Sequence, residues 1–294
     1  MTSGPRNVDE PGVVSSTSVT APQQSRLANR ATARRKVSVT YLLATYGLSV
    51  LVFLFLLGIW EFVSRDGLVA VYILPAPDQV ITELWNDWGS VLRSATWVTF
   101  QEMFLGFLIA VAAGVGIAVL LHWSKVIRRA LYPLLIASQA IPIVVLAPIL
   151  AIIIGYNITS KLVVVALVCF FPIAINTLDG FRGVDSEYVR MMRTLHGTRW
   201  LTFRRIELPS TMPSLFSGMR VAAAFAPVGA VFGEFSGSND GLGYVMLQAG
   251  PQLQTARVLA AVLLLTVMAV LLVLAVTLCE RLTAPWAHEP RRNT

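Results

Sequence analysis

Charge is what this chain has least of. Of its 294 residues 13% are charged, about half the share found in soluble domains. So few charges cannot coat a globule of this size, which excludes an ordinary soluble enzyme and points to an integral membrane protein. Cysteine is scarce as well. Cys169 and Cys279 both fall inside apolar runs, read as small core residues, and offer no disulfide framework. The histidines are His122, His196 and His288, scattered along the chain, which counts against metal or triad chemistry. The only lysines are Lys36, Lys125 and Lys161, and none follows a glycine, so a Gly-Lys-Ser/Thr phosphate loop is excluded. No cleavable signal peptide is expected, because the first apolar run starts only at Val37.

What the chain does have is apolar length. A bilayer core of about 30 Å takes about 20 helical residues. The uncharged runs predict six transmembrane helices in an all-α membrane protein, at 37–62, 97–123, 130–155, 161–179, 214–235 and 256–280. The fifth requires Arg220 to lie near one interface. Residues 1–36, rich in Ser, Thr, Pro and Ala, read as a disordered tail ending in the basic cluster Arg30, Arg34, Arg35 and Lys36. Between spans lie an outer loop at 63–96, an inner segment at 185–209 and an outer loop at 236–255, with a tail at 281–294. The 63–96 loop carries Trp85 and Trp88, with Trp97 next after it, and reads either as a short interfacial helix capped by Asp78 or as a plain connection.

Basic residues orient such a chain. With both termini inside, the N-tail, the 122–129 loop, the 179–220 region and the C-tail hold six, three, seven and three Lys and Arg, or 19 of the 23. The net charge of +7 therefore reports topology, and nucleic acid is not an expected partner. Both termini inside also requires an even number of spans.

Two small-residue stripes at four-residue spacing, Gly106, Ala110, Gly114, Ala118 and Gly218, Ala222, Ala226, Ala230, allow close helix approach. Pro133, Pro142, Pro148, Pro172 and Pro227 should kink their helices, as in proteins whose broken helices line a cavity or move. Ionisable residues in or near the spans are few: Glu102 and Glu234 toward the outside, Asp179 and Arg220 toward the inside. Charges are missing from the midplane, which argues against a proton relay. Candidate pathway residues are Ser138, Gln139, Pro142, Asn176, Glu102 and Glu234; interhelical hydrogen bonding is the other reading of the polar ones.

The most patterned stretch is 179–220. Asp185 or Ser186 can cap a helix whose Val189, Met192 and Leu195 form an apolar stripe. Gly197 should break it, and Thr198 can cap a second helix bearing Trp200, Phe203 and Ile206. Leu208-Pro209 should stop that helix, and Pro213 should precede the next span. Two short basic helices joined at a glycine read as a docking element for another protein, or as an amphipathic hairpin on the membrane surface.

Arg190-Met191-Met192-Arg193-Thr194-Leu195-His196-Gly197, followed by Phe203-Arg204-Arg205-Ile206-Glu207-Leu208-Pro209, resembles the EAA loop of bacterial ABC-importer permeases. Ser138-Gln139-Ala140-Ile141-Pro142, Leu146-Ala147-Pro148, Phe170-Phe171-Pro172 and Gly241-Leu242-Gly243-Tyr244 resemble its nitrate/sulfonate/taurine branch, over roughly residues 95–280. Two positions depart from the family pattern. Arg190 stands where glutamate is usual, and His196 where glycine is usual, the glycine being displaced to Gly197.

The resemblance implies a type I importer permease of the MetI-like fold in the bacterial inner membrane. It would be non-catalytic and hold no cofactor, with ATP and magnesium used by separate ATPase subunits. It implies a second permease copy, two ATPases at the inner face and an external solute-binding protein. The implied coupling residues are Arg190, Arg193, Leu195, His196, Gly197, Trp200, Phe203, Arg204 and Arg205. Gln101-Glu102, Gly241–Tyr244 and the stretch 252–257 look most like permeases for thiamine-precursor pyrimidines or riboflavin, with taurine, alkanesulfonates and nitrate as alternatives. An ion-coupled secondary transporter and a membrane-embedded enzyme are the competing classes.

Overall fold

In lipid every backbone N–H and C=O must find a partner within the protein, and a helix does so within one segment. The computed structural model describes residues 39–66 and 69–288, and among them every regular element is helical. The expected tail at 1–36 and residues 289–294 lie outside the described residues. The chain divides into two units at Trp60/Glu61. In the first, the described residues form a single helix, α1 (Val39–Arg65), which ends inside the second unit and exposes Leu51, Phe53, Leu54 and Phe55.

The second unit opens with α2 (Pro77–Asp87), which continues through a π-helical turn at Trp88–Leu92 into α3 (Arg93–Trp123). The expected loop at 63–96 is therefore helical over its second half. Arg93 N–H bonds Trp88 O in the wide i→i−5 pattern, so the turn is absorbed without a break. Next come α4 (Lys125–Ser138), α5 (Ile143–Ile154) and α6 (Ile158–Arg182). They are followed by α7 (Ser186–Thr194), the single turn α8 (Arg199–Thr202), a second π turn at Phe203–Glu207, and α9 (Leu208–Phe235). The short α10 (Leu242–Ala249) and the long α11 (Thr255–Thr283) complete the order.

Among the described residues of the second unit, four helical runs are long and apolar enough to cross a bilayer: Pro77–Trp123, Ile158–Arg182, Arg199–Phe235 and Thr255–Thr283. The expected span at 130–155 is a bent pair instead, α4 and α5 meeting at 102°. Pro142 accounts for the break: it lacks an N–H, restricts Ile141 before it, and itself takes an extended conformation as the N-cap of α5. Pro133, Pro148, Pro172, Pro213 and Pro227 all lie inside helices.

Leu208-Pro209 does not stop the helix, and Arg199–Phe235 runs on for 37 residues. Leu208 N–H bonds Phe203 O, five residues back. This widened turn relieves the clash a proline ring makes with the carbonyl four residues before it.

The middle of the unit is α6, held between α3 and α9. A Cβ added at Gly106 of α3 would lie 2.5 Å from Val165 Cβ, and one at Gly229 of α9 would lie 2.9 Å from Val165 Cα. Two turns along, a Cβ at Gly114 would meet Ile173 Cγ2 at 2.9 Å, and one at Gly218 would meet Pro172 O at 2.6 Å. Both small-residue stripes thus face the same helix of the same chain, and Ala110, Ala118, Ala222, Ala226 and Ala230 between the glycines are fully buried. Replacing Gly106 with Leu should overpack this contact and cost about 1–3 kcal/mol. Gly116→Leu, where nothing lies within 4 Å, should be near neutral; thermal unfolding in detergent checks the pair.

Candidate functional site

Residues 185–207 form an elbow of short helices. Asp185 Oδ1 accepts the Glu187 N–H at 2.8 Å and starts α7, so of the two expected caps it is Asp185 that acts. The helix ends in a Schellman motif: His196 N–H bonds Arg193 O at 3.1 Å and Gly197 N–H bonds Met192 O at 2.9 Å. The left-handed residue of that motif is His196, with φ 56°. The expectation that Gly197 breaks the helix is thereby corrected by one position: the bend is at His196. Histidine is among the residues enriched in this region, though at a cost. Gly197 is needed for space, since a Cβ there would lie 2.9 Å from Met192 O. Thr198 Oγ1 then accepts the Leu201 N–H and starts α8.

The elbow is seated on aromatic rings. Phe203 is buried and stacks on Phe181 and on Trp200, both at 5.7 Å, with Trp123 edge-on at 5.4 Å. Arg199 Nη2 donates to Trp123 O at 2.9 Å. His122 donates from Nε2 to Glu207 Oε2 at 2.8 Å, its ring stacked 4.5 Å from Phe181. A cavity of ≈ 390 Å³ remains between the elbow and the end of α3, lined by Arg193, Arg199 and Thr202 among others. Of the expected coupling residues, Leu195, His196, Trp200, Arg204 and Arg205 are exposed while Phe203 is core. Arg193, Arg204 and Arg205 have no acidic partner among the described residues, and Arg190 contacts only Ser186 Oγ.

A polar cluster occupies the other end of the α3–α6–α9 sandwich. Lys161 Nζ donates to Glu102 Oε1 and to Ser238 Oγ, both at 2.6 Å. Thr99 Oγ1 donates to Glu234 Oε1 at 2.6 Å and accepts the Leu242 N–H at 2.8 Å. Glu234 Oε2 accepts the Gly243 N–H, so a carboxylate sits on the N-terminus of α10. Gly241 has φ 113°, and a Cβ there would lie 2.2 Å from Glu234 Oε1. The Gly241-Leu242-Gly243 motif is the cradle for that carboxylate. Glu102 and Glu234 are fully buried.

The expected pathway residues therefore separate into three places. Ser138, Gln139 and Pro142 line one wall of a cavity of ≈ 450 Å³ with Phe171, Pro172 and Phe225. Asn176 is half-buried and donates to Pro172 O at 2.7 Å, apart from that lining. Glu102 and Glu234 belong to the packed ionic cluster.

Sequence reasoning missed Lys161 and Glu280. The signal for the first was a lone lysine at the start of a span with acids near the ends of two others. Glu280, 4% exposed, pairs with Arg220, which explains how α9 carries that charge.

A helical membrane core with this elbow has the form of a transport permease. Residues 106–287 match the family described as "Binding-protein-dependent transport system inner membrane component", and the chain belongs to it. It is 35% identical to the formylaminopyrimidine transport permease protein ThiX of Halalkalibacterium halodurans, over 80% of this chain and 94% of the relative. It is 34% identical to the riboflavin transport system permease protein RibX of Chloroflexus aurantiacus, over 79% and 87%. Identity to the taurine transport system permease protein TauC of Escherichia coli is 26%, over 80% and 87%. Among solved structures, the fold is shared with a chain of the inward-facing MetNI methionine ABC transporter, at TM-score 0.59 and 17% identity over 65% of this chain and 95% of that one. The protein is thus an ABC-importer permease, a multi-pass transport subunit, with the expected MetI-like fold.

Two substitutions probe the site geometry. His196→Gly removes the left-handed penalty and should stabilise the chain by about 1 kcal/mol in thermal unfolding. Lys161→Met strands the buried Glu102 carboxylate and should cost about 3–5 kcal/mol; adding Glu102→Leu should return much of that.

Proposed function

We propose that two copies of this chain form the membrane pathway of an ATP-driven importer, with the 185–207 elbow docking in a groove of each ATPase subunit. The observation that carries this reading is the elbow's construction. It is capped at both helix starts, closed by a Schellman motif and continuous with the 37-residue helix Arg199–Phe235, so a push on it moves a whole span as a rigid body. Its exposed Arg190, Arg193, Arg204 and Arg205 call for an acidic groove. ATP and magnesium belong to the ATPase, and this chain needs no cofactor. ATP binding would close the ATPase pair and turn the pathway outward to a loaded solute-binding protein; hydrolysis would reset it.

Six spans result when α1, 27 residues long, and the bent pair α4–α5 each count as one with the four long runs. The excess of basic residues in the N-tail, the 122–129 loop, 179–220 and the C-tail supports an inner-membrane protein with both termini in the cytoplasm. Ser138, Gln139 and Pro142 are the best-supported pathway residues, since they line a cavity at the helix break. For substrate, the relatives named for formylaminopyrimidine and riboflavin favour a neutral nitrogen heterocycle, with taurine, alkanesulfonates and nitrate as the second reading.

Gly197→Leu forces a side chain against Met192 O and should abolish co-purification of the ATPase subunit while leaving membrane insertion intact. Unchanged co-purification would remove the elbow from the interface. Mass spectrometry of the ligand carried by the partner binding protein identifies the substrate, and uptake driven by an ion gradient without ATPase would favour a secondary transporter.

A further inference from the structure

The elbow is joined along the chain to α6, through residues 183–185, and to α9, through the π turn. It has no covalent link to α3 nearer than α4 to α6, yet α3 forms one side of the sandwich. Any movement of the elbow reaches the end of α3 across non-covalent contacts. Those contacts include two hydrogen bonds, His122–Glu207 and Arg199 to the Trp123 carbonyl, beside the ring contacts of Trp123 with Phe203 and Trp200 and of His122 with Phe203.

We infer that the His122–Glu207 pair, backed by Arg199–Trp123, is a strut that makes the end of α3 move with the elbow as one body. Three observations support this. The pair is mostly enclosed, with side-chain exposures of 19% and 17%, its open side facing the ≈ 390 Å³ cavity that both residues line. The imidazole is clamped flat on Phe181 with Phe203 beside it, which fixes its direction. Glu207 is the last residue of the π turn, whose extra residue rotates the succeeding helix by about 100° relative to an unbroken α-helix. Glu207 thus sits where the elbow passes into α9, and its bond to His122 ties α3 to that junction. His122 and Glu207 are positioning residues, and the role rests on the ATPase-docking reading above.

Nitroxide labels at Leu120→Cys and Leu201→Cys, in a Cys279→Ser background with the buried Cys169 retained, report the α3–α8 distance by dipolar EPR. The labelled chain is diluted with unlabelled chain in lipid nanodiscs. The chain with its strut intact should give one narrow distance, unchanged when its ATPase subunit and ATP are added. In His122→Phe and in Glu207→Leu the distribution should broaden about twofold or more and become ATP-dependent with the ATPase still bound, and the exchanged pair His122→Glu with Glu207→His should narrow it again. Equal widths with and without the pair, or a distance that shifts on ATP with the strut intact, would overturn the inference. If no ATPase subunit binds the unsubstituted chain, the docking reading falls, while the widths in the chain alone still decide whether the pair is rigid.

Discussion

Everything in this permease hangs on how closely α3 and α9 approach α6. The approach is a matter of missing atoms. Glycines at 106, 114, 218 and 229 leave room for Val165, Ile173 and the Pro172 carbonyl, and one methyl at any of them would overlap a neighbour. In a membrane, lipid tails satisfy apolar side chains as well as a neighbouring helix does, so association relies on dispersion contacts that only close backbones supply. Three helices fused in this way behave as a plate with two ends, and the two ends are finished in different chemistry.

At one end the helices are tied by buried charge. Lys161 at the start of α6 reaches Glu102 of α3 and Ser238 after α9, and Glu234 of α9 holds the first amides of α10 together with Thr99 of α3. These bonds join groups from separate elements, so the end is specified as well as closed, with a single Glu102 oxygen left without a partner among the described residues. At the other end the tie is aromatic. Phe181, Phe203, Trp123 and Trp200 seat the elbow, with one shielded hydrogen bond between His122 and Glu207. Stacked rings hold a direction and still allow the elbow to present its arginines outward.

Several of these features are legible in the residues. The caps at Asp185 and Thr198 follow from their side chains, and the small-residue stripes announce close approach. What the stripes cannot say is which helix they meet, because a row of glycines is equally suited to a partner in the same chain or in another copy. Pro142 breaks its span while Pro133, Pro148, Pro172, Pro213 and Pro227 do not, although all share the same missing N–H. In sequence Pro209 reads as a stop, and a π turn absorbs it. His196 reads as the departure and Gly197 as the bend, whereas the hydrogen bonds to Met192 and Arg193 put the bend at His196.

By itself the sequence determined the solvent and the family. With 13% charge and long uncharged runs the chain belongs in lipid, since hydrophobic length is a local property that no folding partner can alter. The motif from Arg190 to Pro209 was equally local, as each cap and its amide lie within a few residues of one another. Only the tertiary structure decided what Glu102, Glu234, His122 and Glu207 do. Their partners lie 59, 135, 85 and 85 residues away in the chain, and a pairing over such distances is set by where packed backbones bring side chains together, which spacing along the sequence does not encode.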